Sequence, residues 1–176
     1  MQVVNMTVIF SLDNRLDLSK VEEAIPDSIY NPHTFSAVKV RELQTNYSAL
    51  IFNSGKVVIT GVTSEEKASI AAHHLYEGLS SVFQLNFGNL EVKNMVGSFV
   101  LSHQVNLISF YNCFKGRCSY EVELFPALFY KPKDIRGTVT IFRTGRINIT
   151  GVRSYTELDL IEFHIKQILI NHAILN

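Results

Sequence analysis

Apolar and polar positions alternate over 48–60 and again over 138–150, and strand residues point alternately to the two faces of a sheet. In the first stretch Ala49, Ile51, Val57 and Ile59 share one face, and Ser48, Leu50, Phe52, Val58 and Thr60 share the other. In the second, Val139, Ile141, Ile147 and Ile149 oppose Thr138, Thr140, Phe142, Asn148 and Thr150. Asn53-Ser54-Gly55-Lys56 and Arg143-Thr144-Gly145-Arg146 interrupt them with glycine where a hairpin needs a positive φ. Further strands are expected at Gln2–Ser11 and Glu91–Leu101. Helical spacing replaces alternation at Leu18, Val21 and Ile25, a segment that Pro26 ends. Ser64 reads as the N-cap of a longer helix, with Glu65 and Glu66 in its positive first turn. Ser154 and Glu157 form a capping box for the last helix, whose apolar stripe is Leu158, Ile161, Ile165, Ile168 and Leu169.

The two alternating stretches are copies of one another. Residues 48–64 align with 138–154 at an offset of 90 without a gap, with Phe52/Phe142, Gly55/Gly145, Thr60/Thr150, Gly61/Gly151 and Val62/Val152 identical. Tyr30 and Phe35 match Tyr120 and Phe125 at that offset, and Asn5-Met6 matches Asn94-Met95 at 89. Two copies make a duplicated domain, not a solenoid. The expected fold is therefore α+β and pseudo-twofold, an antiparallel curved sheet with two helices per repeat, the repeats running over 1–88 and 89–176.

The aliphatic set of each copy suits a face packed on helices. The opposite face of copy one, with Leu50, Phe52 and Val58, is too apolar merely to meet water, and two helices per copy cover one side of a sheet. In copy two the same face is polar except for Phe142. A broad ligand such as a widened DNA minor groove fits a surface of this kind. The 47% hydrophobic content supplies a core. No apolar run reaches the ~18 residues of a membrane span, and the first residues do not read as a secretory leader. A soluble intracellular protein without a membrane partner is expected. Net charge is zero, with six Lys/Arg against nine Asp/Glu in 1–88 (−3) and ten against seven in 89–176 (+3). That is less basic than nucleic-acid binders usually are. Cys113 and Cys118, spaced C-x4-C, supply too few ligands for zinc and read as reduced structural residues. No cofactor or metal is expected, nor an enzyme. The chain carries no nucleophile–base set and no P-loop, because the Phe-x-[Ser/Thr]-Gly-[Lys/Arg] hairpins join strands and open no helix.

Longer signatures run through both copies: Arg15-Leu-Asp-Leu18, Tyr30-Asn-Pro-His-Thr-Phe35, Ala49-Leu-Ile-Phe-Asn-Ser-Gly-Lys56, Val92-Lys-Asn-Met-Val-Gly-Ser98 and Tyr120-Glu-Val-Glu-Leu-Phe-Pro126. On these the chain resembles the TATA-box-binding protein family over nearly its whole length, from Val4 to about Leu169. The resemblance implies a saddle whose helices lie on the convex face. It implies that Phe35 with Phe52, and Phe125 with Phe142, wedge between base steps of double-stranded, AT-rich promoter DNA. It implies that Asn5 and Asn94 donate to minor-groove acceptors, beside Thr60 and Thr150, over a floor at Leu50, Val58 and Val96. It places Arg41, Lys56, Lys131 and Arg146 against phosphates, and Glu121, Glu123 and Leu124 on a factor IIB-like partner that brings in the RNA polymerase machinery. The expected location is the nucleus, or the transcription compartment of a virus or archaeon.

Three departures qualify the resemblance. Thr138, Thr140 and Asn148 stand where the family has aliphatic floor residues, and Thr7 likewise, which implies a weaker or altered sequence preference, most of all beneath copy two. Helix positions Ser69, His73, His74, Glu77 and Ser81 are not the basic surface of eukaryotic members; the adjacent histidines diverge by ~100° on a helix and read as surface residues, not a metal pair. Val122 replaces a proline in the stirrup, which implies a looser loop. The leading expectation is a transcription initiation factor that binds and bends promoter DNA. The alternative is a related scaffold or competitor with little TATA preference that works through protein contacts. Self-association through the concave face is left open.

Overall fold

The structure is a computed structural model that describes residues 1–42, 46–172 and 174. Its contacts divide the chain into Asn5–Lys93, hereafter the first unit, and Asn94–Asn176 with Met1–Val4, the second.

In the first unit β1 (Gln2–Ser11, of which residues 5–11 belong to this unit) leads into α1 (Leu18–Ala24), a short edge strand β2 (Ser28–Ile29), β3 (Ala37–Glu42), β4 (Tyr47–Phe52), β5 (Lys56–Val62) and α2 (Glu65–Ser80). Pairing is antiparallel throughout, in the order β2-β3-β4-β5-β1. The second unit repeats the plan with β6 (Glu91–Val100), α3 (Leu107–Phe114), a 3₁₀ turn at Lys115–Arg117, β7 (Cys118–Ser119), β8 (Ala127–Tyr130), β9 (Thr138–Phe142), β10 (Arg146–Val152) and α4 (Tyr155–Asn171). Its strands run β6-β10-β9-β8-β7, again antiparallel. The α+β class with two α-helices per repeat is as the sequence predicts.

The alternation decides which face is packed. Ala49, Ile51, Val57 and Ile59 are at most 1% exposed, and Val139, Ile141, Ile147 and Ile149 are completely buried. Opposite them lie Ala68, Ala71, Ala72, Leu75 and Leu79 of α2, and Leu158, Ile161, Ile165, Ile168 and Leu169 of α4, all buried. Full burial of one such aliphatic side chain contributes about 1.5–3 kcal/mol. No buried side-chain nitrogen or oxygen among the described residues lacks a partner.

Caps start the helices where the sequence places them. Ser64 Oγ accepts from Lys67 N–H (3.1 Å), and Ser154 Oγ accepts from Glu157 N–H (3.2 Å). The return half of the Ser154–Glu157 box differs from expectation: Glu157 Oε2 accepts from Arg153 N–H (2.6 Å), one residue before the cap. The expected strand to Leu101 ends at Val100.

Each hairpin turn is tied to the loop that follows the unit's first strand. Leu12 N–H donates to Gly55 O and Leu16 N–H to Asn53 O, both at 2.9 Å. Leu101 N–H donates to Gly145 O (2.9 Å) and Val105 N–H to Arg143 O (3.0 Å). Gly55 has φ +81°, and a Cβ there would stand 2.3 Å from Asn14 O; Gly145 has φ +86° and 2.5 Å to His103 O. Glycine is required at both on conformation and on space. The clamp fixes the hairpin, and with it the phenylalanine that precedes the turn.

Candidate nucleic-acid interface

The sheet face away from the helices carries the residues singled out in the sequence. Phe52 ends β4 and Phe142 ends β9, each held at the clamped hairpin. Their partners come from a tight turn: Asn31 O accepts from Thr34 and Phe35 N–H (3.1 and 3.0 Å), and Glu121 O accepts from Leu124 and Phe125 N–H (2.9 and 3.0 Å). The rings of Phe35 and Phe52 stand 6.4 Å apart at 59°, and those of Phe125 and Phe142 6.0 Å apart at 64°. Phe35 is 37% exposed and Phe125 42%. Opposite Phe52 in the ladder is Ala37, and opposite Phe142 is Ala127, both 1% exposed on the same face. A small residue there leaves room for the ring pair.

The surroundings of the two pairs differ. Lys39 Nζ lies 4.9 Å from the Phe35 ring centroid. At the matching position of the second unit Phe129 stacks on Phe125, 5.4 Å away at 17°, and is 39% exposed. Sequence reasoning missed both Lys39 and Phe129, although alternation through Ala37–Arg41 and Ala127–Tyr130 places them on this face.

Asn5 and Asn94 are fixed in one way. Gly61 N–H donates to Asn5 Oδ1 (2.9 Å), and Gly151 N–H donates to Asn94 Oδ1 (2.9 Å). Backbone N–H groups only donate, so the side-chain oxygen is the partner and the Nδ2 hydrogens are the groups left over. The glycines make this possible. Each ladder gains a bulge beside it, between Met6/Thr7 against β5 and between Ile149/Val152 against β6, and φ is +97° at Gly61 and +83° at Gly151. A bulge with glycine at positive φ turns its N–H out of the ladder, here to the asparagine. Thr60 and Thr150, next to these glycines, are half-buried.

The floor of the first unit is apolar: Leu50 pairs with Val58, and Val58 with Ile9. The corresponding row of the second unit is Thr140, Asn148 and Ser98, and Ser98 Oγ–H donates to Asn148 Oδ1 (2.8 Å). Thr138 pairs with Thr150, and Val96 is half-buried. The polar face of copy two is therefore partly buried and internally hydrogen-bonded. Ser98, and its counterpart Ile9, were missed because neither lies in the aligned hairpin stretch.

Arg41, Lys56, Lys131 and Arg146 are all exposed. Lys131 shares a cavity of about 520 Å³ with Arg117, Lys133 and Phe129, two further cations that the sequence pattern did not single out. Glu121, Val122, Glu123 and Leu124 project from the turn before Phe125, with Leu124 79% exposed. His73 stacks on Phe87 (4.7 Å), and His74 Nδ1 lies 3.0 Å from Tyr47 Oη, so both exposed histidines rest on neighbouring aromatic residues. Among the described residues no group of three His, Cys, Asp or Glu converges as a metal site, and no helix is long and apolar enough to cross a membrane. Cys113 and Cys118 are free thiols. Burial pushes the Cys118 thiol up to about 11. Burial, with the charge of Glu42, pushes the Tyr47 phenol up to about 12. These groups are held protonated at neutral pH and are poor nucleophiles.

The fold defines a class: a duplicated α+β protein in which one face of an antiparallel sheet is packed on helices and the other is not. The family model for transcription factor TFIID (or TATA-binding protein, TBP) matches residues 1–82 and 89–172. The chain belongs to the TATA-binding protein family, a family of DNA-binding transcription factors and not of enzymes. It is 31% identical over 170 residues to TATA-box-binding protein 2 of Entamoeba histolytica, covering 96% of this chain and 80% of that protein. It is 35% identical over 159 residues to TATA box-binding protein-like 2 of Mus musculus, covering 89% of this chain and 45% of the mouse protein. Among solved structures, Methanococcus jannaschii TBP is similar with a TM-score of 0.86 and 29% identity over 98% of this chain and 97% of that one.

Proposed function

We propose that this protein is a transcription initiation factor that binds AT-rich promoter DNA in the minor groove, bends it, and recruits a factor IIB-like protein and through it the polymerase. Each unit takes one half of the element. The observation that carries this reading is the repeated amide geometry: in both units the asparagine oxygen is occupied by a glycine N–H, and the amide hydrogens remain to donate. Both orientations of an A·T pair offer acceptors alone in the minor groove. In each unit the phenylalanine pair acts as a wedge. Unstacking a base step costs a few kcal/mol, offset by the surface that a bent duplex brings into contact. Arg41, Lys56, Lys131 and Arg146 meet phosphates. Glu121, Glu123 and Leu124 form the acidic and apolar docking point for the factor IIB-like partner, and the site of action is the nucleus or the equivalent transcription compartment.

The test is a fluorescence anisotropy titration with an AT-rich duplex and a GC-rich duplex of the same length. Selective binding that is lost on Asn5→Ala/Asn94→Ala, with the circular dichroism melt retained, supports the reading. Equal affinity for both duplexes, unchanged in the variant, contradicts it.

A further inference from the structure

The two units offer different chemistry at the same place. In the first, the row Ile9, Val58 and Leu50 presents no side-chain polar atom. In the second, the matching row is Ser98, Asn148 and Thr140, and one hydrogen bond decides what it can do. Ser98 Oγ–H is committed to Asn148 Oδ1 at 2.8 Å. The Ser98 hydroxyl proton is therefore engaged and its oxygen is left as an acceptor, while the Asn148 amide retains its Nδ2 hydrogens for donation. Side by side on a half-buried face stand an acceptor and a donor, with the Thr140 hydroxyl next in the row.

In the minor groove a G·C pair differs from an A·T pair by one group, the guanine N2 amine, a donor among acceptors. Against an aliphatic row that amine loses water and gains no partner, which penalises binding. Against Ser98 it finds an acceptor, while the Asn148 amide donates to the neighbouring base acceptor. We infer that the second unit's face accepts the exocyclic amine of a G·C pair that the first unit's face rejects, so that the protein reads an asymmetric element and is oriented by it. This inference rests on the minor-groove reading of the preceding subsection.

The test uses base analogues that change only this amine. 2,6-Diaminopurine paired with thymine adds it to an A·T pair. Three duplexes are compared by anisotropy with the full chain: all A·T, diaminopurine in one half-site, and diaminopurine in both. The protein can orient its second unit on the modified half, so the expected affinity for the single-half duplex is within about threefold of all A·T, and that for the doubly modified duplex is weaker by roughly tenfold or more. Ser98→Ile/Asn148→Val, which copies the Ile9–Val58 pair, is expected to widen the gap between all A·T and the single-half duplex from within about threefold to roughly tenfold, whatever its affinity for all A·T. A circular dichroism melt serves as the folding control for that variant. Ile9→Ser/Val58→Asn provides a gain-of-tolerance arm, expected to bind the doubly modified duplex nearly as well as the single-half one. If all A·T is bound and one modified half costs as much as two, or if Ser98→Ile/Asn148→Val leaves the profile unchanged, the inference is overturned and the minor-groove reading survives. If none of the three duplexes is bound, both are overturned.

Discussion

At the scale of single residues, the asparagines show how much a backbone decides about a side chain. A free Asn can present its oxygen or its amide hydrogens; Asn5 and Asn94 have no such choice, because Gly61 and Gly151 N–H occupy the oxygens. This separates structure from recognition. Asn94→Asp keeps the acceptor for Gly151 and turns the outward group from donor to anion. The expected outcome is a thermal midpoint close to that of the parent and a loss of DNA affinity well beyond the ~1 kcal/mol of one hydrogen bond, measured by paired melting and anisotropy experiments. Equal loss of stability and binding would mean that the residue serves the bulge alone. The sequence made the asparagines legible through their repeat, but not their orientation, which depends on a contact 56 residues away for Asn5 and 57 for Asn94. Ser98 was illegible for a related reason: its meaning arises from Asn148, 50 residues distant.

At the scale of elements, periodicity predicted most of what formed. The buried sets of β4, β5, β9 and β10 and the stripe of α4 are those that alternation and helical spacing select. The shortest strands were not legible: β2 and β7 have two residues each and exist through their pairing with β3 and β8. The repeat predicts a short helix in the second copy as in the first, but not its start on Asn106, whose Oδ1 accepts from Ser109 N–H (3.0 Å). Removing a cap tests the local account: Ser154→Ala should cost about 1 kcal/mol, read as a lower denaturation midpoint with an unchanged slope. A second test concerns α4 and β8, where His164 Nε2 lies 3.1 Å from Tyr130 Oη. Burial, together with the Arg117 charge, holds the His164 imidazole below its usual value of 6.5. The unfolded chain therefore takes up this proton first as pH falls, so the contribution of His164 to stability is full above 6.5 and declines below it. Melts between pH 7.5 and pH 5 (about the range over which unperturbed histidine titrates) should fall toward acid for the parent, and less for His164→Gln. An identical acid slope in the two proteins would remove His164 from the account.

At the scale of the whole molecule, a neutral chain with a sequence pI near 7.0 has little long-range attraction for DNA. If its phosphate contacts are Arg41, Lys56, Lys131 and Arg146, the slope of log affinity against log salt should be about −3.6, that is ~0.9 per phosphate neutralised. Replacing any one of them by alanine should flatten it by ~0.9, and a much steeper slope would implicate the cations near Lys131, Arg117 and Lys133. The duplication and the family were legible from the repeat and the long signatures; the difference between the repeats in chemistry became legible only when cross-strand partners were known. The central claim remains mechanical: two aromatic pairs wedge into a duplex and bend it. It is tested most directly by energy transfer between fluorophores at the two ends of a TATA-containing duplex, with parent protein and with Phe52→Ala/Phe142→Ala at saturating concentration. The account predicts a marked end-to-end shortening with the parent, absent with a scrambled duplex and lost in the variant. Binding by the parent at unchanged end-to-end distance would contradict it.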